Sequence, residues 1–516
     1  MSKVINGYIK AENGRLINDA GEILLKGWGI GNWLLCEGYM WQYDGSARLD
    51  RPRHIEAVIR ELVGEEEAEH FWKAFRTNYF TRTDLARIKA QGYNSIRLPL
   101  NWRLFMVDEP QEVRFLEAGF EILERVVSWC EEEDLYIWID MHGAPGGQTG
   151  ANIDDCVDEM PRLFMDEDKF EKGLILWEEI SRRYKDRAAV AGYDLLNEPI
   201  RPANGPAVPS CEYLVPELIR FYKEAIARIR GLGDRHCIAL EGHHWATDTT
   251  VFNQQYDDNW VLHFHRYWDN PEEEIFEKFL RLREKYRVPL WLGETGENSL
   301  EWFAAISAIC EREHISYHFW PYKKMGETAS AEVRRPKNWA AFIDYAKQGL
   351  APSLAESKAI LAEFLENMKL ENCLLHDEVD AAILRNQPYK IKATNFIAES
   401  SLIKARPKNT NIFGYKTDFG IELAYHHEPH DESWMNYDIV LSEGESLHYP
   451  WPNFAFEKLL VRVSAVFSPG QLKVGDKIVS FEKDGLLEVL AASNSGGTLE
   501  LSCQTGKLQI EALCFI

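Results

Sequence analysis

The sequence predicts an α/β protein, namely a (β/α)8 TIM barrel followed by a C-terminal all-β sandwich domain. Two observations support this prediction. Eight short apolar runs alternate with amphipathic helical segments between residues 24 and 322, and strand patterns replace the helical ones from about residue 389. Apolar strands that alternate with helices indicate a parallel sheet covered on its faces, and eight such units close a barrel.

The predicted barrel strands are rich in Val, Ile, Leu and aromatic residues. In chain order they are LLKGWGI, NSIRLPL, LYIWIDMH, VAGYDLLNEP, HCIALEGH, NWVLHFHRY, VPLWLGE and ISYHFWPY. The segments between them have helical periodicity. In FLEAGFEILERVVSWCEEEDL, for example, one stripe collects the apolar residues Phe115, Leu116, Phe120, Leu123, Val126 and Val127.

The long stretch between the first two strands, residues 31–94, exceeds what one crossover needs, so we expect an insertion at about 31–80 that caps one end of the barrel. We assign residues 1–367 to the catalytic barrel domain, 368–388 to a linker and 389–516 to the β-sandwich. In the last segment KLLVRVSAVF, GDKIVSF, TLELSC and KLQIEALCFI read as strands, separated by turn-like SPG, SNSGG and QTG.

Composition excludes several classes of partner. The chain has 82 acidic and 58 basic residues, a net charge of −24, and no basic run with interleaved aromatics, so nucleic acid and anionic membranes are not expected partners. The sequence has no signal-type apolar segment at its start and no run near the ~18 apolar residues that span a bilayer. Nine scattered cysteines without a C-x-x-C pair favour reduced thiols, and hence a cytoplasmic location.

The carboxyl ends of barrel strands form the active face, so polar residues there indicate function. Six of the predicted strands end in polar or aromatic residues, which are Arg97, Asp140, His142, Asn197, Glu198, His263, His265, Tyr267, Glu294 and Trp320. Two carboxylic acids on separate strands can hydrolyse a glycosidic bond. One acid protonates the leaving oxygen, and the other attacks the sugar carbon or activates water.

Several motifs together resemble the retaining glycoside hydrolases of family 5. They are IRLPL, MHGAPGGQTG, LLNEP, HRYW and LGE, and the resemblance covers roughly residues 24–350. GWGIGNWLLCEGYMW with HGAPGGQTG is most similar to the branch that contains exo-acting β-glucosidases and exo-glucanases. The resemblance implies that Glu198 is the general acid/base and Glu294 the nucleophile, with Asn197 binding the sugar 2-hydroxyl.

The same resemblance implies roles for five further residues that we count, with Asn197, as substrate-binding. Arg97 and Tyr267 would keep the nucleophile ionised, since a nearby positive charge favours a carboxylate. His142 and His265 would line the site of the non-reducing sugar, and Trp320 would lie under the sugar ring. Glu297 in GETGEN is a second candidate for the nucleophile, but it lies beyond the strand, so we prefer Glu294.

The sequence therefore predicts a retaining β-glycosidase without a cofactor or metal, acting at the chain end of short oligosaccharides or small glycosides. A cytoplasmic location favours this exo reading, because polymers do not enter cells. An endo-acting β-glucanase is the alternative, and a carbohydrate-binding protein that has lost catalysis is a further one.

Three patterns suggest other ligands. His263 and His265 share one strand face, which leaves open a metal-dependent barrel hydrolase. GWGIGN imitates part of a dinucleotide fingerprint but lacks the helix that would hold a pyrophosphate. In the C-terminal domain YHHEPHDESW could bind a metal through its histidines, although a solvated loop is the preferred interpretation; the residues are His426, His427 and His430.

Overall fold

A computed structural model describes residues 3–203, 210–397, 408, 414–426, 433–490 and 497–516. The chain forms two compact units. The first consists of residues Met1–Tyr267, Lys278–Glu297 and His314–His376, and the second of Trp268–Glu277, Asn298–Glu313 and Asp377–Ile516. Within the described ranges, no helix has both the length and the apolar character required to cross a bilayer.

The first unit begins with a small antiparallel sheet of strands β1 (Lys10–Glu12), β2 (Arg15–Asn18) and β3 (Gly21–Glu22). Ile9 and Leu16 from this segment pack into a buried apolar cluster with Tyr136 and Cys237, the first residues of two barrel strands. The sheet therefore covers the amino-terminal end of the barrel, which leaves the carboxyl end for chemistry.

A closed barrel of eight parallel strands follows, which confirms the predicted fold, and each predicted run overlaps one of its strands. The strands pair in the order β10-β11-β4-β5-β6-β7-β8-β9. Their bounds are β4 (Lys26–Gly29), β5 (Ser95–Asn101), β6 (Tyr136–Gly143), β7 (Val190–Asp194), β8 (Cys237–Glu241), β9 (Trp260–His265), β10 (Leu290–Gly296) and β11 (Ser316–Trp320).

Helices alternate with these strands. They are α1 (Pro52–Val63), α2 (Glu65–Asn78), α3 (Arg82–Gln91), α4 (Glu117–Glu133), α5 (Glu167–Tyr184), α6 (Val215–Gly231), the short turn α7 (His243–Ala246), α8 (Glu277–Tyr286), α9 (Leu300–Arg312), α10 (Trp339–Gln348), α11 (Leu354–Asn367) and α12 (Asp377–Leu384). In α4 the predicted stripe is buried, since Phe120, Leu123, Val126 and Val127 all face the interior. Phe115 and Leu116 precede the helix.

The predicted insertion contains α1, α2 and two short 3-10 turns, Gly38–Trp41 and Ala47–Leu49. Its aromatic residues build a core of their own: Trp41 is fully buried and stacks on Phe75, and its ring edge meets Phe364 of α11. A three-stranded sheet of β12 (Lys323–Lys324), β13 (Ala331–Glu332) and β14 (Leu374–Leu375) completes the unit.

The second unit contains the predicted all-β domain. Its strands are β15 (Tyr389–Lys392), β16 (Glu422–Tyr425), β17 (Tyr437–Ser442), β18 (Ser446–Pro450), β19 (Lys458–Val474), β20 (Lys477–Phe481), β21 (Gly485–Leu490) and β22 (Thr498–Phe515). All pairings are antiparallel, and the long strands β19 and β22 pair with each other and carry the remaining strands on their outer edges.

Two of the predicted turns in this domain are wrong. SPG and QTG do not end strands but lie inside β19 and β22, where the pairing shifts register between Val466 and Leu472. The register shifts indicate bulges, and Gly506, with φ of +86°, has the left-handed conformation that one type of bulge takes at a glycine. SNSGG falls mostly outside the described residues, as do His427 and His430.

The division into compact units differs from the predicted boundaries. The break at His376 lies inside the predicted linker 368–388, which contains β14 and α12. The second unit also takes up α9, which comes between β10 and β11 in the chain. The reason is packing, because α9 lies against α12 and β15, and Lys390 Nζ is 3.0 Å from Glu301 Oε1.

Candidate active site

Arg97 on β5 organises the carboxyl end of the barrel. Its guanidinium is fully buried and contacts Glu294 and Asn197 at 2.6 and 2.7 Å. It also contacts three further carboxylates on neighbouring strands, at distances of 3.0 to 3.3 Å: Asp140, Asp194 and Glu241. A buried charge with this many partners fixes the positions of the side chains around it.

Glu294 on β10 is held in its ionised form. Arg97 Nη1 lies 2.6 Å from its Oε2, and the Tyr267 hydroxyl donates a hydrogen bond of 2.8 Å to its Oε1. Burial alone would raise the pKa of Glu294, but the positive charges of His265 and Arg97 outweigh it and lower that pKa below the ordinary value. Such a carboxylate has the charge that a nucleophile needs.

Glu297, the other candidate nucleophile, belongs to a different contact. Its carboxylate pairs with Lys324, and it lies past the end of β10 in a left-handed conformation with φ of +52°. Because the guanidinium of Arg97 contacts Glu294, the geometry favours Glu294.

Glu198 follows β7 at the opposite side of the same face. The Nδ1 atom of His265 lies 2.7 Å from Glu198 Oε1. One ligand atom each of Glu198, His265 and Glu294 lie within 4.8 Å of one another, so the two carboxylates are separated by less than 4.8 Å at their closest oxygens. Retaining glycosidases hold their carboxyl groups about 5–5.5 Å apart, whereas inverting enzymes separate them by about 6.5–9.5 Å.

The remaining predicted sugar contacts surround the two carboxylates. His142 places Nδ1 2.8 Å from Asp140 and Nε2 3.3 Å from the Asn197 amide, and its ring stacks on Trp320. Trp320 donates its indole N–H to the hydroxyl of Tyr39 at 3.0 Å. These contacts hold the indole as a flat surface beside Glu198 and Glu294.

The glycines of GWGIGN have a packing role at this surface. A Cβ atom at Gly29 would lie 2.3 Å from the Trp320 ring, and one at Gly31 would lie 2.7 Å from it. Both distances are shorter than real contacts, so glycine is required for the indole to lie against β4 and the loop after it.

Two predicted substrate contacts have different surroundings in the structure. Arg97 is fully buried among carboxylates, so it positions Glu294 and Asn197 rather than meeting a sugar. His265 is directed at Glu198 instead of the open pocket, and its other nitrogen lies 3.0 Å from His263. Of the insertion aromatics Trp33, Tyr39, Trp41 and Tyr43, which we expect in the pocket wall, Tyr39 reaches the site, while Trp33 and Trp41 are core residues.

Sequence reasoning missed Glu37, which the insertion brings close to Glu294, Glu198 and His142. Its carboxylate is 5% exposed and lies 3.9 Å from His142 Nε2. Burial and the facing charges of Glu294 and Glu198 raise the pKa of Glu37 well above its usual range. Within the described residues nothing donates a hydrogen bond to this carboxylate, so a sugar hydroxyl is the partner that its position suits. Glu37 lies in a loop and not at the end of a predicted strand, so the sequence pattern did not mark it as a candidate.

Sequence reasoning also passed over Glu241, although it ends a predicted strand. It is fully buried at the end of β8, where its Oε2 accepts the backbone N–H of Glu198 at 2.7 Å. Burial raises the pKa of Glu241 to about 8, against the opposing positive charge of His265. Its position as a carboxylate at the end of an apolar strand could have marked Glu241 as a candidate site residue.

The metal hypothesis meets a competing cation. Donor atoms of Glu241, His263 and His265 lie within 4.8 Å of one another, as a metal site would require. Arg97 Nη2, however, lies only 3.3 Å from Glu241, and a divalent ion in the same space would be repelled by that guanidinium. The residues therefore fit a network of hydrogen bonds better than a metal centre.

Comparison with known proteins places the chain in a family. The family model described as cellulase, glycosyl hydrolase family 5, matches residues 63–326, more than half of the sequence. The chain belongs to glycosyl hydrolase family 5. The NEP motif with Glu198 and the GE motif with Glu294 both lie inside the matched segment of this family 5 chain.

Its curated relatives include two glycosidases. A β-xylosidase of Phanerodontia chrysosporium is 32% identical over 246 residues, which are 48% of this chain and 48% of that protein. A glucan 1,3-β-glucosidase of Candida oleophila is 25% identical over 299 residues, 54% of this chain and 65% of that protein. The family 5 chain thus spans less than two thirds of the length of these relatives.

A solved structure of an endogalactoceramidase has a similar fold, and the match covers 98% of this chain and 99% of that protein's chain. Its sequence identity to this chain is 14% and the TM-score is 0.47.

Proposed function

We propose that this family 5 chain hydrolyses β-glycosidic bonds with retention of configuration, with Glu294 as nucleophile and Glu198 as acid/base. One observation carries the proposal, namely the closeness of two carboxylates in different environments. Glu294 is held ionised by Arg97 and Tyr267, while Glu198 faces it at less than 4.8 Å. A separation this short fits the retaining mechanism, because an inverting enzyme spaces its carboxyl groups by about 6.5–9.5 Å to hold both the sugar and an attacking water.

In the first step the Glu294 carboxylate attacks the anomeric carbon, and Glu198 gives its proton to the leaving oxygen. The glycosidic C–O bond breaks, and a glycosyl ester forms on Glu294. Glu294 is uncharged in this ester, and Glu198, having given up its proton, is left as a carboxylate.

In the second step Glu198 takes a proton from water, and the oxygen of that water attacks the anomeric carbon. The ester breaks, Glu294 is restored as a carboxylate, and Glu198 regains its proton. His265 contacts Glu198 at 2.7 Å and so holds its carboxyl group in place for both steps. Burial lowers the pKa of His265, but the carboxylates of Glu241 and Glu294 overcome this effect and raise it well above the usual value, so the imidazolium can donate to Glu198.

We further propose exo action on short oligosaccharides or small glycosides. Tyr39 and Glu37 from the insertion stand against Trp320 and His142, so the insertion supplies one wall of the sugar site. The relatives named β-xylosidase and glucan 1,3-β-glucosidase support the choice of a glycosidase that acts on small glycosides. A cytoplasmic location stays part of the proposal, supported by nine free cysteines, and fractionation of cells that express a tagged chain tests it.

A panel of p-nitrophenyl β-glycosides tests the reaction, with proton NMR of the first sugar released. We expect turnover of at least one glycoside, with the β-anomer formed first. An α-anomer formed first would contradict the retaining mechanism. If every glycoside binds in calorimetry but none is turned over, the non-catalytic alternative replaces this proposal.

An endo-acting β-glucanase is the alternative within the same mechanism. β-Glucan oligosaccharides labelled at the reducing end separate the two, because exo action removes single sugars from the other end. A mixture of short labelled oligosaccharides in the first minutes of reaction would favour the endo reading.

A further inference from the structure

Glu241 is a buried carboxylate at the active face to which the two chemical steps assign no role. It ends β8, is fully buried, and so has no direct contact with solvent. A buried carboxylate is unfavourable unless nearby donors and charges compensate for its lost hydration. Its partners therefore indicate what it does.

The first partner is the backbone of the acid/base. Glu241 Oε2 accepts the N–H of Glu198 at 2.7 Å. Glu198 has φ of +41°, in the left-handed region, where a residue with a side chain is strained. A hydrogen bond from a backbone N–H to a carboxylate is among the stronger ones, so this contact helps to keep Glu198 in that conformation. The conformation determines the direction in which the Glu198 side chain leaves the backbone.

The second partner is the imidazole that touches the acid/base. Glu241 Oε1 lies 3.5 Å from His265 Nε2, and Nδ1 of the same ring lies 2.7 Å from Glu198 Oε1. Glu241 Oε1 is also 3.1 Å from His263 Nδ1 and 3.3 Å from Arg97 Nη2. One carboxylate thus contacts both the backbone of Glu198 and the ring that contacts its side chain.

We propose that Glu241 is a positioning residue that holds the acid/base Glu198 in place through its backbone N–H and through His265. The inference rests on the proposed function, because it assigns a role within that reaction. Asp140 offers a contrast. It contacts Arg97 at 3.1 Å and His142 at 2.8 Å, so it supports the nucleophile and the sugar site instead.

Leaving-group dependence tests this role. A 2,4-dinitrophenyl glycoside needs little protonation as its bond breaks, whereas a phenyl glycoside needs a well-placed acid. Glu241→Gln retains the size of the side chain but has one acceptor oxygen, so its NH2 group must face a donor, either the Glu198 N–H or Arg97. We expect kcat/KM for the phenyl glycoside to fall at least tenfold more than kcat/KM for the dinitrophenyl glycoside. Both substrates are measured on one preparation, so the ratio does not depend on the folded fraction.

Azide provides the second readout. If Glu198 is misplaced as a base, azide, which needs no deprotonation, should raise kcat of Glu241→Gln on the dinitrophenyl glycoside. Asp140→Asn is the matched control, and we expect it to lower kcat/KM for both glycosides by similar factors and to show no acceleration by azide. If Glu241 had only a structural role, Glu241→Gln would also lose activity equally on both glycosides and show no acceleration by azide.

The inference is overturned if Glu241→Gln lowers kcat/KM for both glycosides alike. If this variant does not fold, Glu241→Asp replaces it, since it keeps both oxygens but shortens their reach; an unchanged substrate ratio in a folded Glu241→Asp would also overturn the inference. Failure of the proposed function looks different, because the wild-type chain would then hydrolyse neither glycoside.

Discussion

Arg97 Nη1 lies 2.6 Å from Glu294 Oε2, and this ion pair joins the second and seventh strands of the barrel across its active face. The Arg97 guanidinium is fully buried, so solvent does not screen the pair. The pair helps to lower the pKa of Glu294 and so marks it as a carboxylate held in its charged form. The first two predictions below depend on this property.

Glu294→Gln should abolish turnover of every glycoside, because no glycosyl ester forms without the attacking carboxylate. Glu198→Ala should keep the first step on a dinitrophenyl glycoside, while hydrolysis of the intermediate slows for lack of a base. Azide should restore turnover of Glu198→Ala and give a β-glycosyl azide, identified by NMR. A β-glycosyl azide from the Glu294 variant together with an α-glycosyl azide from the Glu198 variant would reverse the assignment, and a change below about tenfold in both, about 1.4 kcal/mol of barrier, would end it.

Tyr267→Phe should move the acid limb of the kcat/KM profile to higher pH. The Tyr267 hydroxyl donates a hydrogen bond to Glu294 and contributes to the lowered pKa of that carboxylate. Without this donor the pKa of Glu294 rises, so Glu294 becomes protonated, and activity is lost, at a higher pH than in the wild-type chain. A hydrogen bond to a charged group contributes about 1.5–3 kcal/mol, which corresponds to a shift of about one pH unit or more. Tyr39→Phe is the control, since its hydroxyl bonds Trp320, and its acid limb should stay in place. An unmoved limb in Tyr267→Phe would show that the limb does not report Glu294.

Glu37→Ala should weaken recognition of the sugar without removing the chemistry. Its carboxylate lies 3.9 Å from His142 and suits a sugar hydroxyl, so we expect kcat/KM to fall about 10–100-fold, the effect of about 1–3 kcal/mol. Deoxy glycosides identify the hydroxyl. The wild-type chain should lose activity on the one deoxy analogue that lacks the Glu37 contact, and Glu37→Ala should not distinguish it from the parent. Equal losses on all analogues would contradict the assignment.

Lys323→Met should destabilise the first unit strongly. Lys323 is 1% exposed, lies 2.5 Å from Asp84 Oδ1, and donates to the backbone carbonyl of Tyr79 at 2.7 Å. Removing one member of a buried ion pair leaves an uncompensated charge and costs about 3–5 kcal/mol of unfolding free energy, measurable by denaturant titration. The exposed pair Lys10–Asp19 is the matched comparison, and Lys10→Met should cost no more than about 1 kcal/mol. Similar losses of unfolding free energy in Lys323→Met and Lys10→Met would contradict the view that burial makes the Lys323–Asp84 pair important.

A chain that ends at His376 should be poorly soluble or less stable than the full chain. The α9 helix packs against α12 and β15, and both are lost in this truncation. An apolar helix surface without its partners exposes area that favours aggregation. Size-exclusion chromatography and thermal unfolding provide the measurement. A monomeric truncated chain with an unchanged melting temperature would show that α9 does not need α12 and β15.

The sequence by itself determined the barrel and most of the site. The eight apolar runs alternate with helices, which is the pattern of parallel strands covered by helices. Because the carboxyl ends of such strands lie on one face of the barrel, the residues at those ends could be placed together. Glu198 and Glu294 were predictable for this reason. Their proposed roles rest on the resemblance of the motifs around them to family 5, since each lies in a short local pattern.

The tertiary structure decided what depends on contacts between distant segments. Glu37 lies in a loop whose path is set by the packing of α1 and α2, so no local pattern places it beside His142. Glu241 was visible at a strand end, but its hydrogen bond to the backbone of Glu198 depends on the position of β7 relative to β8. In the second unit SPG and QTG resemble turns locally, yet they continue two paired strands, because the partner strand supplies the hydrogen bonds that a turn would otherwise make internally.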